Sequence, residues 1–123
     1  MIDGHHIIHT KAHYTISPEA RQLRNEPSLI PRIDRDAHNE LHANCPAVPL
    51  LGYHTLNRVV KDFYPQRTTL ASIDDLLFAI ENAARHEKAH PIESKLAFLA
   101  IEAIELQVPY IREGLVLPEL RVV

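Results

Sequence analysis

The apolar residues of this chain fall into two short extended runs followed by a longer series at helical spacing. Ile2 to His9 reads as a strand, because Ile7 and Ile8 are β-branched and Gly4 suits a turn or a close backbone approach. Leu29-Ile30-Pro31 is a second extended piece, placed at a sheet edge or a strand end because Pro31 has no N–H to give a ladder. Between them Ser17-Pro18-Glu19 opens a short helix, with Ser17 as N-cap and Pro18 at the first helical position, ending before Asn25-Glu26-Pro27. Asp34 caps the next helix, Arg35 to about Ala43. In it Ala37 and Leu41 form one row and His38 and His42 the adjacent one. Asn44-Cys45-Pro46 stops it, since a residue before proline is pushed out of helical geometry.

A helix follows from about Tyr53 to Phe63, with Leu56, Val59, Val60 and Phe63 on one face, and Tyr64-Pro65-Gln66-Arg67 breaks it. Ser72 then caps a helix whose positions Ile73, Leu76, Leu77, Ile80, Ala83 and Ala84 carry it to about Lys88. His90-Pro91 starts the last helix. Its apolar face reads as Ile92, Leu96, Leu99, Ile101 or Ala103, and Leu106, and Pro109 ends or kinks it. Two helices joined this closely pack as an antiparallel hairpin. The tail from Leu115 to Val123 is too apolar to stay loose, so it covers the core or meets a partner chain. The expected class is α+β: a small N-terminal unit of two strands and a helix, buttressed by a mainly helical C-terminal part. Residues 1–67 and 68–123 are expected to pack as one compact domain.

Composition narrows this little. A chain of 123 residues with 46% hydrophobic and 24% charged content is that of a single globular domain. The apolar runs are far short of a membrane span, and the N-terminus, with Asp3 and two histidines, does not resemble a signal peptide. Cys45 is the only cysteine, which excludes an intrachain disulfide or a Cys-based zinc knuckle and points to a reducing, cytoplasmic setting. Charge is uneven. Residues 1–67 carry 8 Lys and Arg against 7 Asp and Glu, whereas residues 68–123 carry 5 against 9. A nucleic-acid binder is normally basic, so only the first part has anything to offer phosphates.

Histidine changes the picture more, with seven of nine lying before residue 55. His38 and His42, four apart on a helix, project from one face within reach of one ion, although the spacing alone suits a solvated polar face as well. His5 and His6 are adjacent on the strand, where neighbouring side chains point to opposite faces. One ring can therefore ligate while the other, nearby but unbound, acts on a water. Were the N-terminus helical, His5, His9 and His13 would form a rival cluster, which the β-branched run argues against. His54, His86 and His90 read as surface or helix-end residues, and His86 suits a helix C-terminus. Cys45 reads as a small semi-buried residue and Asp74-Asp75 as helix-start charge.

His5-His6, then Ser28-Leu29-Ile30-Pro31 entering the second strand, then Ala37-His38-Asn39-Glu40-Leu41-His42 together resemble the HNH (ββα-metal, His-Me finger) nuclease motif. The variant is that of the bacteriocin DNases, with a His-His pair on the first strand and His-x-x-x-His on the helix. The resemblance covers residues 3–43. It implies that His5, His38 and His42 are metal ligands and that His6 is the general base toward the attacking water, with an ion stabilising the phosphate and the leaving 3′ oxygen. The family's middle Asn falls near Ser28 or Leu29. Ser28 takes over part of its hydrogen bonding, and Asn25 is another candidate. Arg32 and Arg35, flanking the site in sequence, are candidates for gripping phosphate. Histidine ligands favour a transition metal such as Zn²⁺, Ni²⁺ or Mn²⁺ over Mg²⁺, which prefers oxygen. The Cys pairs that stiffen many members are absent, which leaves the C-terminal helices to support the fold.

The resemblance thus implies an endonuclease hydrolysing DNA, of a kind often found in phages and mobile elements. The alternative is an HNH-like protein, weak or inactive as a catalyst, that binds a partner protein or a second copy through its acidic C-terminal half and apolar tail. A third reading is a structural zinc site with closed four-ligand coordination.

Overall fold

The two extended runs pair with each other. β1 (Ile2–Gly4) and β2 (Arg32–Asp34) form an antiparallel ladder with Ile2 opposite Asp34, Asp3 opposite Ile33 and Gly4 opposite Arg32. The same register continues beyond it: the His5 N–H donates to the Pro31 carbonyl at 2.9 Å and the Ile7 N–H to the Leu29 carbonyl at 3.2 Å. Pro31 has no N–H to return, so the regular strand stops at Gly4 while the chain stays paired as far as Ile7. The strand expected from Ile2 to His9 is therefore only three residues long. The second run is also displaced. Pro27–Leu29 forms a 3-10 turn, with the Leu29 N–H bonded to the Glu26 carbonyl at 2.9 Å, and β2 begins only after Pro31. A proline at the first turn position, with φ already set, favours that turn over an extended chain.

The structure is a computed structural model describing residues 1–9, 18–49, 51–64, 68–87 and 90–117. The expected Ser17 cap, His13, the Pro65-Gln66-Arg67 break, Lys88 and the tail beyond Leu117 lie outside the described residues. α1 (Pro18–Arg24) ends where Asn25 was expected to end it. β2 runs directly into α2 (Arg35–Asn44), and the Asp34 carboxylate accepts from the Asp36 N–H at 3.1 Å, the cap read from the sequence. α3 (Tyr53–Phe63) has the expected limits. α4 (Thr69–His86) starts a turn early: Thr68 is its N-cap and Ser72 is buried inside it. α5 (Pro91–Gly114) runs straight through Pro109. Pro109 and Glu105 are both exposed, so the Glu105 carbonyl that loses its helical partner has access to water.

The buried face of α5 differs from the expected one. Ala97, Ala100, Ala103, Ile104, Gln107, Ile111 and Gly114 face inward, while Ile92, Leu99 and Leu106 are exposed. Small side chains let α5 lie close to its main neighbours α4 and α2, and α4 answers with buried Ala79, Ala83 and Ala84. A row of large residues would hold the helices apart. At its end α5 touches α2: a Cβ on Gly114 would fall on the Cβ of Ala37. The chain then covers the free edge of β2, with Leu115 bridging Ile33 and the Val116 N–H bonded to the Arg32 carbonyl at 2.8 Å. Ile7, Ile33, Leu41, Ile104 and Ile111 are fully buried, each stabilising the fold by about 1.5–3 kcal/mol.

The result is mainly helical with one small antiparallel sheet, compatible with an α+β class. Among the described residues no helix is long and apolar enough to cross a membrane. What matters for the site is that α5 packs against α2 and β2.

Candidate metal centre

His5 follows β1 immediately and is the most enclosed of the described histidines, 1% exposed. Its ring is fixed by a residue 102 positions away. The Gln107 side-chain NH₂ donates to the Ile7 carbonyl at 3.0 Å and to the Ala103 carbonyl at 3.3 Å, which turns its Oε1 toward His5 Nε2 at 2.8 Å. An amide oxygen only accepts, so His5 Nε2 carries the proton and Nδ1 keeps its lone pair. That Nδ1 is buried without a hydrogen-bond partner. A buried orphan nitrogen on a ring whose other nitrogen is tethered could serve as a metal ligand.

Asp3 does for His38 what Gln107 does for His5. Its carboxylate accepts from His38 Nδ1 at 3.3 Å and from Arg35 Nε and Nη2, both at 3.3 Å. Arg35 first, and His38 second, hold the Asp3 carboxyl below the usual carboxylate range. With Nδ1 tethered, His38 turns Nε2 toward His42 Nε2, 2.9 Å away. Two bare lone pairs would repel at that distance, so one ring donates its N–H to the other. A carboxylate behind a histidine is the common outer support of a metal ligand.

One nitrogen from each of His5, His38 and His42 lies within 4.8 Å of the others. The edges of a tetrahedral zinc site are roughly 3.3 Å, so ligation would draw His5 and the other two rings together by at most about 1.5 Å and open the 2.9 Å His38–His42 separation slightly. His42 is exposed on α2 and free to make that adjustment. His9 stands beside the three, its ring 5.1 Å from that of His42 and 5.6 Å from that of His5, and its Nδ1 is also buried without a partner.

Burial also sets the charge state. It pushes His5 down to about 4, with smaller contributions from the neighbouring rings, and is the largest cause of lowering at His9 and His42. These rings are therefore neutral at pH 7, the form a metal requires. The unfolded chain protonates such a ring near 6.5, so between about 6.5 and 4 the unfolded state binds more protons. Stability present above pH 6.5 is lost as pH falls, by about 3 kcal/mol for His5 alone. The metal-free protein should melt at a markedly lower temperature at pH 4.5 than at pH 7. His5→Gln should flatten that dependence, as circular dichroism melts can test.

His6 is half-buried and lines the same cleft of about 220 Å³ as Gly4, His5, His9, Arg24, His38 and His42. Burial first, and the Arg24 charge second, lower its pKa. The structure thus brings His5, His6, His38 and His42 together. Ser28 stands apart: its hydroxyl donates to Glu26 Oε1 at 3.4 Å, and it does not line the cleft. Arg32 is exposed and lines a different groove with Ile2, Ile30 and Leu115, while Arg35 reaches the centre only through Asp3.

The sequence reading missed Gln107 and the parts played by Asp3, His9 and Arg24. For Gln107 a signal existed, a polar residue in the row Ala100, Ala103, Ile104, Ile111. For Arg24 there was none. Gln107→Leu would leave the His5 Nε2–H and the Ile7 carbonyl buried without partners, destabilising by about 2 kcal/mol or more. It should also weaken metal binding by about 10–100-fold, as loss of outer support does. Chemical denaturation and titration against a coloured chelator measure the two effects separately.

No family model matches this chain, and no curated protein or solved structure matches it either.

Proposed function

We propose that this protein is a metal-dependent endonuclease of the HNH type that hydrolyses DNA phosphodiester bonds. One observation carries the reading: His5, His38 and His42 present ligand nitrogens to one point, with His6 beside them in the same cleft. The antiparallel pair leading directly into the ligand-bearing helix supports it. When bound, an ion such as Zn²⁺, Ni²⁺ or Mn²⁺ supplies Lewis-acid stabilisation of the phosphate and of the departing oxygen.

The chain supplies the rest. Gln107 and Asp3 hold the ligand rings in the tautomers that leave lone pairs free. A ring nitrogen of neutral His6 accepts the proton of the attacking water as the new O–P bond forms and the P–O3′ bond breaks. The 3′ oxygen takes its proton from solvent. His6, held below the ordinary histidine range by burial and by Arg24, is in the unprotonated form needed at pH 7. A reducing, cytoplasmic setting fits the buried thiol of Cys45, which donates to the Leu106 carbonyl at 3.3 Å.

The test is nicking of supercoiled plasmid by metal-free protein resupplied with Mg²⁺, Mn²⁺, Ni²⁺ or Zn²⁺. Cleavage with a transition metal, none in chelator, and 5′-phosphate ends that a ligase reseals are expected. Folded, ion-loaded protein that cleaves nothing would overturn the reading. It would favour a closed site completed by His9, in a protein that binds a partner through α4 and α5, where Phe78, Ile92 and Phe98 are exposed.

A further inference from the structure

Arg24 is the last residue of α1 and borders two cavities. One is almost wholly apolar and is also lined by Ile8, Leu23, Val48, Leu56 and Ile104, so what Arg24 presents there is its methylene stem. The other is the histidine cleft. Its Nε is buried and has no hydrogen-bond partner among the described residues. The carboxylate bonded to the histidine cluster, Asp3, is already engaged by both Arg35 and His38, and among the described residues no ion pair involves Arg24.

A divalent ion held by the three imidazoles would share this cleft with the Arg24 guanidinium. Two cations in one partly buried space repel each other. An anion between them removes the repulsion and gives the orphan Nε an acceptor. We propose that Arg24 is the anion clamp of the centre: its guanidinium donates to a non-bridging phosphate oxygen of the DNA strand held against the three histidines. This rests on the endonuclease reading for the identity of the anion, but not for its charge. It replaces Arg32 and Arg35 in that role, since Arg35 is spent on Asp3 and Arg32 lines another groove.

The probe is thymidine 3′,5′-bisphosphate, titrated calorimetrically into Zn²⁺-loaded protein. Arg24→Met keeps the stem in the apolar cavity and removes the charge. It should weaken binding by about 10–100-fold, the size of one lost charge-assisted hydrogen bond. Arg24→Lys, which keeps stem and charge but not the fork, should fall in between, and Arg32→Gln should change affinity less than about twofold. Zn²⁺ affinity measured without the probe should be unchanged or higher in Arg24→Met, because a neighbouring positive charge is gone. A purely structural role for Arg24 would lower it. Wild-type protein that ignores the probe, or a folded Arg24→Met protein that binds it equally well, would overturn the clamp. If Arg24→Met does not fold, the comparison of wild type with Arg24→Lys decides on the same terms. Should the plasmid remain intact while Arg24→Met loses the probe, the clamp stands and only the endonuclease reading fails.

Discussion

Plasmid nicking by His6→Ala is expected to be slower than wild type by about 10²–10⁴-fold, the usual contribution of a positioned general base. Affinity for Zn²⁺ or Ni²⁺ should stay within about twofold. The asymmetry follows from the cleft. His6 lines it, but the ligand group comprises His5, His38 and His42, each tethered or paired by residues other than His6. Removing a half-buried ring costs little core packing, so the variant should melt close to wild type. A variant that nicks DNA at the wild-type rate would remove His6 from the chemistry. Loss of both nicking and metal would show that His6 ligates.

His38→Ala should have the opposite signature. It removes one of the three nitrogens that could hold an ion, and it takes from Asp3 a partner that helps hold the carboxylate ionised. Losing an outer support costs about 10–100-fold in affinity, so loss of a ligand should cost more, on the order of 10³-fold. Metal at 100 times its Kd stabilises the wild type by about 2.7 kcal/mol. At the same concentration His38→Ala should show almost no rise in Tm, and His86→Ala, altered in the last turn of α4, should respond like wild type. Thermal melts with and without Zn²⁺ provide the comparison. An unchanged Tm shift in His38→Ala would remove the metal centre, and the endonuclease reading with it. A lost shift does not separate a catalytic ion from a structural one, which is why His6→Ala is the more discriminating variant.

The exposed residues of α5 bear on how far pattern reading reaches. Helical spacing showed that residues 91–108 form a helix, but two apolar stripes run along it and spacing does not choose between them. Ile92, Leu99 and Leu106 form the more hydrophobic stripe, yet the alanine stripe is buried. The choice belongs to α4 and α2, against which α5 packs Ala97, Ala100 and Ala103 together with Ile104 and Ile111. Pro109 shows the same limit: whether a proline breaks a helix depends on whether the lost hydrogen bond faces water, and exposure is a tertiary property.

What the sequence by itself determined is local. The spacing of four placed His38 and His42 on one helical face, Asp34 capped that helix, Pro31 closed the ladder, and α3 began and ended where its apolar row does. Each follows from backbone geometry over a few residues, which neighbouring side chains do not override. Only the tertiary structure decided what surrounds the histidines. It carried Gln107 across 102 positions to set the tautomer of His5, set Asp3 behind His38, and left the Arg24 Nε at the cleft without a hydrogen-bond partner among the described residues. No periodicity encodes such contacts, because they depend on which helix faces pack together, and that is settled by the fit of the whole core.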